Sequence, residues 1–171
     1  MDVITNYKNN SGWLYIITAV VSLEIVFIIL YSRLSENLRL WYNKFGLLAV
    51  LADVLIILLA IAVARYIYTV WIIPNYGNKP VLFILTVLIV QLVHDLIYYF
   101  AIVQPWPKGQ NAIIDFMKQY GREGGLWPIL GDSSMVITMS ALAFILTDIP
   151  TYVNVFILLV AIYMIPYVIA N

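Results

Sequence analysis

The stretch from Val81 to Val103, VLFILTVLIVQLVHDLIYYFAIV, limits the fold more than any other part of the chain. A run of that length matches the hydrocarbon core of a bilayer, which takes about 20 residues of helix. Lipid offers no partner for backbone N–H and C=O groups, so a spanning segment must satisfy them internally. Gln91, His94 and Asp95 nevertheless lie well inside the run, and His94 is the only histidine. An ionised acid at the centre of such a helix costs about 2.5–3.5 kcal/mol on insertion scales, so these side chains call for partners.

The rest of the chain has the same character. It is 64% hydrophobic and only 11% charged, against about 45–50% and about 25% in soluble domains. Nine basic residues balance nine acidic ones, and no basic patch of the kind nucleic acid requires follows from that charge. The absence of cysteine removes disulfides, thiolate nucleophiles and Cys-ligated metals. A single histidine removes multi-histidine metal boxes and paired-histidine haem sites. No cofactor is expected.

Five apolar runs predict an all-α, polytopic membrane helix bundle built as one transmembrane domain over 1–171. Its spans are expected at 13–31, 47–68, 81–103, 129–146 and 152–170. Residues 1–12 read as a frayed polar tail. The first run lacks the basic start and cleavage site of a signal peptide and is too long for one. Pro74 to Pro80 reads as a turn. The last two runs are short enough that a re-entrant pair is the alternative.

Two further segments are amphipathic. In 34–45, Leu34, Leu38, Trp41 and Phe45 recur at helical spacing, with a plain charged loop as the alternative. In 111–120, Ile113, Phe116, Met117 and Tyr120 form the clearer apolar face. Both are expected to lie along the membrane surface, with the second face against headgroups, the spans or a partner protein. Arg33, Arg39, Lys44, Lys108, Lys118 and Arg122 fall on one side of a five-span topology, which positive-inside makes the cytoplasmic side. Arg65, near the far end of the second span, is expected to snorkel.

The same topology sets depths. Glu24, Asp53, His94, Asp95 and Asp132 come from four spans and share the cytoplasmic half. Gln91, His94, Asp95 and Tyr98 occupy one arc of the third span, which should face inward. Asp95 is expected to contact a polar group on another span. With one histidine and no deep lysine or arginine, the acids cannot all be charged and dry. The cluster reads first as a hydrogen-bonded network fixing helix register, and second as a proton or cation path. Against the path, no inverted repeat and no TVGYG-type filter is present.

Catalysis is not expected. Asp95 and Asp132 could form an intramembrane aspartyl pair, but Ile129 stands where the first glycine of Gly-x-Gly-Asp belongs. Ser133 and Ser134 lack a nucleophile-elbow context.

The stretch QLVHDLIYYF through QPWPKGQNAIIDFMKQYGREGG to LGDSSMVITMSALAF carries His94-Asp95, a Pro-x-Pro-x-Gly-x-Asn run ending at Asn111, Asp115, Tyr120 and Asp132-Ser133. In this it resembles small polytopic membrane proteins of large DNA viruses of algae and protists. The resemblance implies a structural protein of a virion's internal membrane, with the lipid bilayer and other membrane or capsid proteins as partners. It implies no catalytic residues.

Overall fold

The computed structural model describes residues 2–170, apart from the side chains of Tyr31 and Ser32. It is all-α, with no strand among the described residues. Five helices are long and apolar enough to cross a membrane: Gly12–Leu30, Leu47–Tyr76, Pro80–Val103, Trp127–Leu146 and Thr151–Ile169. They lie within α2 (Gly12–Leu34), α4 (Leu47–Ile67) with its extension, α6 (Pro80–Ile97) with its extension, α8 (Trp127–Leu146) and α9 (Thr151–Ile169). The last two are continuous helices of 20 and 19 residues.

Each helix starts and stops for local reasons. Pro80 and Pro128 stand in the first turns of α6 and α8, where the missing N–H would have no helical partner. α3 (Glu36–Phe45) begins at Ser35, whose Oγ accepts from Leu38 N at 3.4 Å. It ends at Gly46, whose φ of 52° suits glycine and lets the chain turn directly into α4. α7 (Ala112–Gly124) is capped by Asn111, whose Oδ1 accepts from Ile113 N at 2.9 Å and Ile114 N at 3.1 Å.

The second span runs further than its sequence suggests. It continues past Tyr68 as a π-helical turn, Tyr68–Ile72, and a last helical turn α5 (Ile73–Tyr76). The Ile73 N–H reaches back five residues to the Tyr68 carbonyl. That wider turn carries the helix as far as Pro74, which lies in the first turn of α5 and does not end the span. The connection to α6 shrinks to residues 77–79. A second π segment, Tyr98–Val103, extends α6, with Gln104 N bonded to Tyr99 O at 2.9 Å.

α2 is the central helix, packed against α9, α8, α3 and α4; α6 closes the bundle against α8 and α4. Its span is 44% buried, against 17% for those of α6 and α9, which turn broad faces outward. The buried stripes run at four-residue spacing. On α4 they read Ile57, Ile61, Arg65, preceded by the half-buried Asp53, and on α6 Phe83, Val87, Gln91, followed by the half-buried Asp95. Val20, Ile57, Ile61, Val87 and Met139 are buried and fill the middle of the core. Such a core excludes water between two polar ends. At one end Phe83 meets Tyr68 and Phe144 edge-on, with centroids 5.4 and 5.8 Å away.

The N-terminal segment is folded, which corrects the expectation of a frayed tail. α1 (Asp2–Thr5) buries Ile4 and Thr5 completely. Arg65 is likewise buried and does not snorkel. Its Nη2 donates to the carbonyls of Asn6 and Asn9, both at 2.6 Å, and of Val3 at 3.4 Å. Its guanidinium also lies over the Trp13 ring at 4.9 Å. Backbone carbonyls carry partial negative charge, and three of them converging on one cation replace the water that a snorkelling arginine would seek. A Cβ at Gly12 would collide with the Val3 carbonyl, so the segment also needs glycine there.

Candidate functional site: a polar cluster beneath two interfacial helices

The amphipathic segments pack on the end of the bundle and on each other. From α3, Trp41 and Tyr42 are buried while Leu34, the last residue of α2, is 78% exposed. The inward face of α3 is therefore Leu38, Trp41, Tyr42 and Phe45, and Leu34 does not belong to it. Trp41 stacks on Phe116 of α7 at 5.3 Å, and Phe45 meets the same ring edge-on at 5.7 Å. Phe116 in turn stacks on Tyr120 at 6.2 Å. Ile113, Phe116 and Met117 pack against the buried core, and Ile114, outside the expected face, is the most buried residue of α7. The face thus rests on the spans. Gly121 lets α7 approach Tyr99, whose ring occupies the space a Cβ would need.

Beneath α3 lies the polar cluster. Tyr42 Oη is 3.1 Å from Glu24 Oε1 on α2 and 2.9 Å from Asp53 Oδ2 on α4. Trp41 Nε1 donates to the same Asp53 oxygen at 3.0 Å. Two adjacent residues of one short helix therefore tie the two spans that flank it in sequence. Glu24 is fully buried, and its Oε2 has no hydrogen-bond partner. A phenol has one hydrogen to donate, so a complete set of bonds around Tyr42 needs a proton on one of the two carboxyls. Burial, then the neighbouring Asp53 and Glu24 carboxyls, push the Tyr42 phenol above its ordinary range, so it remains a hydrogen-bond donor.

The other expected members divide. Gln91 is buried, and its Nε2 donates to Asp95 Oδ1 at 2.7 Å. His94 Nδ1 lies 3.1 Å from the same oxygen, and its ring stacks on Tyr98 at 5.8 Å. All of these are on α6 and its extension. Asp95 thus finds its hydrogen bonds along its own helix, not across the bundle as its depth suggested. The i, i+4 spacing of Gln91 and Asp95 makes that contact available to the helix alone. Asp95 Oδ2 is buried without a partner. Asp132 on α8 is partly buried, with Asp95 and Asp53 within electrostatic range. It has no hydrogen bond among the described residues. The six residues Glu24, Asp53, Gln91, His94, Asp95 and Asp132 therefore form two bonded groups, one across helices and one along α6, with Asp132 between them.

Sequence reasoning missed Trp41 and Tyr42 as members of the site. Their signal was present: a Trp-Tyr pair beside membrane-embedded acids supplies an indole N–H and a hydroxyl, the donors those acids lack. Among the described residues no three metal-ligating side chains converge, and the polar groups at hand are hydrogen-bonding donors and acceptors. Comparison with protein-family models, with curated proteins and with solved structures gives no match for this chain.

Proposed function

We propose that this chain is a non-enzymatic structural membrane protein that presents a fixed two-helix platform, α3 and α7, at one face of a bilayer. The observation that carries the reading is the bridge from Tyr42 to Glu24 and Asp53, with Trp41 beside it. A surface helix that only floated on lipid would not bury a tryptophan and a tyrosine among the spans. Its rigid attachment suits a surface for neighbouring proteins. On the resemblance of its C-terminal half, the membrane is the internal membrane of a virion, and the neighbours are membrane or capsid proteins. The basic side of the platform faces the cytoplasm in the membrane of origin, from the distribution of lysine and arginine.

A second reading, a proton or cation transporter, draws on the buried carboxyls and the proton that the Tyr42 bridge needs. The apolar layer of Val20, Ile57, Ile61, Val87 and Met139 argues against it, because it separates the cluster from the opposite end. Liposomes containing the purified protein test both. The structural reading expects no proton or cation flux above that of protein-free liposomes. Flux that Asp95→Asn abolishes would replace it with the transporter. Detection of the protein in the lipid-containing fraction of purified virions tests the location, and its restriction to cellular membranes would contradict it.

A further inference from the structure

Between α3, α7 and the loop before α7 lies a cleft of about 430 Å³ whose walls carry Lys44, Lys108 and Arg122. All three side chains are exposed. None makes an ion pair among the described residues; the Lys44 ammonium lies only over the ring of its neighbour Phe45, at 5.3 Å. Two acids also line the cleft, Asp115 and Glu123, and the three cations outnumber them; Asp115 Oδ1 is buried without a hydrogen-bond partner. Asp115 Oδ2 accepts from Gly109 N at 2.9 Å, and Glu123 Oε1 accepts from Gln119 Nε2 at 3.0 Å.

The walls are held in place. The Gly109 bond and a second one, from Lys118 Nζ to the Trp106 carbonyl, pin the loop that carries Lys108 to α7. The contacts of Trp41, stacked, and Phe45, edge-on, with Phe116 fix α3, and with it Lys44. The depth is also defined. Lys44 lies just before the span that opens at Leu47, Lys108 just after the one that closes at Val103, and Arg122 shortly before the one that opens at Trp127. Three unpaired cations on a preformed cleft at span ends sit at headgroup level, where basic residues attract anionic lipid.

We propose that this cleft binds the phosphate of an anionic phospholipid headgroup. Lys44, Lys108 and Arg122 supply the charge, and the guanidinium of Arg122 supplies paired donors for phosphate oxygens. The lipid would lie across the junction of α3 and α7 and hold the platform to the membrane.

Native mass spectrometry of the full chain in a neutral detergent tests the site, after incubation with equal amounts of phosphatidylglycerol and phosphatidylcholine. The proposal expects preferential retention of phosphatidylglycerol. That preference should fall about a hundredfold in the combined K44Q, K108Q and R122Q variant and about fivefold in K108Q alone. Helical circular dichroism and a single elution peak confirm that each variant is folded, and the single variant decides the matter if the triple one is not. R33Q with R39Q, at the same end but outside the cleft, should leave the preference unchanged. Equal retention of the two lipids, or an equal loss in R33Q with R39Q, would overturn the proposal. So would displacement of the lipid by an equimolar amount of inorganic phosphate, which would indicate a site for the free ion.

Discussion

The two ends of the bundle solve one problem in opposite ways. Each places charge-bearing side chains where little water reaches. At one end a single cation, Arg65, is met by the backbone carbonyls of Val3, Asn6 and Asn9. At the other, the carboxyls of Glu24 and Asp53 are met by the side-chain donors of Trp41 and Tyr42. A guanidinium offers five donors in one plane, and backbone carbonyls of any sequence can accept from it; here all three meet Nη2, while Nε and Nη1 are buried without a hydrogen-bond partner. Carboxyls need donors, and a helical backbone has none free except at its first turn. The acidic end therefore needs particular side chains, delivered by a dedicated helix, whereas the arginine end needs only a chain segment of the right path. Substitutions should accordingly be felt sharply at the acidic end, and through backbone order at the other.

The largest effect is expected at Trp41, which joins both interfacial helices to the spans. Trp41→Ala should lower stability in detergent by about 3–5 kcal/mol, read as a fall in unfolding temperature. A loss under 1 kcal/mol would show that the α3–α7 platform is only loosely attached. Arg65→Leu should cost about 1–3 kcal/mol, because it strips donors from the three carbonyls. It should also make residues 2–12 a site of rapid proteolysis; unchanged protection would mean that Ile4 and Thr5 hold the segment without the arginine.

Tyr42→Phe should also cost about 1–3 kcal/mol at neutral pH, since it takes the donor from one carboxyl and the acceptor from the other. Its pH dependence carries a definite sign. The Tyr42 phenol is raised in the folded state, by burial and the two carboxyls, so its stabilisation is complete below the ordinary tyrosine value of about 10. Above that, unfolded Tyr42 ionises while folded Tyr42 does not. The advantage of wild type over Tyr42→Phe should shrink by up to about 1.4 kcal/mol per pH unit. An advantage that grows with pH would contradict the buried bridge. The smallest effect is expected for Asp95→Asn, within about 1 kcal/mol, because Asp95 bonds only to its own helix and an amide oxygen can accept from Gln91. A large loss would point to a partner for Asp95 on another span.

Much of this architecture is readable from the residues, and the reason is the bilayer. Long apolar runs give the five helices directly, because lipid leaves a spanning chain almost no other choice. The four-residue stripes give Glu24, Asp53 and Asp95 their inward direction in the same way. What the sequence does not display are contacts that depend on tertiary path. Nothing in residues 2–12 announces that their carbonyls will enclose Arg65, since carbonyls are common to every sequence. The π turn at Tyr68–Ile72 is hidden because Pro74 and Gly77 read as a loop in any local scheme. Asp95 misleads in a different manner: its depth suggested a cross-helix partner, while Gln91 one turn earlier was the nearer donor. Trp41 shows in the sequence only as a member of an apolar face, while its indole N–H bonds Asp53 and its ring stacks on Phe116.

The central claim is that Tyr42 couples α3 to both neighbouring spans through Glu24 and Asp53. A double-mutant cycle of Tyr42→Phe and Glu24→Gln, with unfolding followed in detergent, measures that coupling without regard to what each substitution does alone. The bridge predicts an interaction energy of about 1 kcal/mol or more between the two sites. Strictly additive losses, within about 0.3–0.5 kcal/mol, would mean that the Tyr42 hydroxyl and the Glu24 carboxyl do not act on each other, and α3 would then not be coupled to α2 through this bridge.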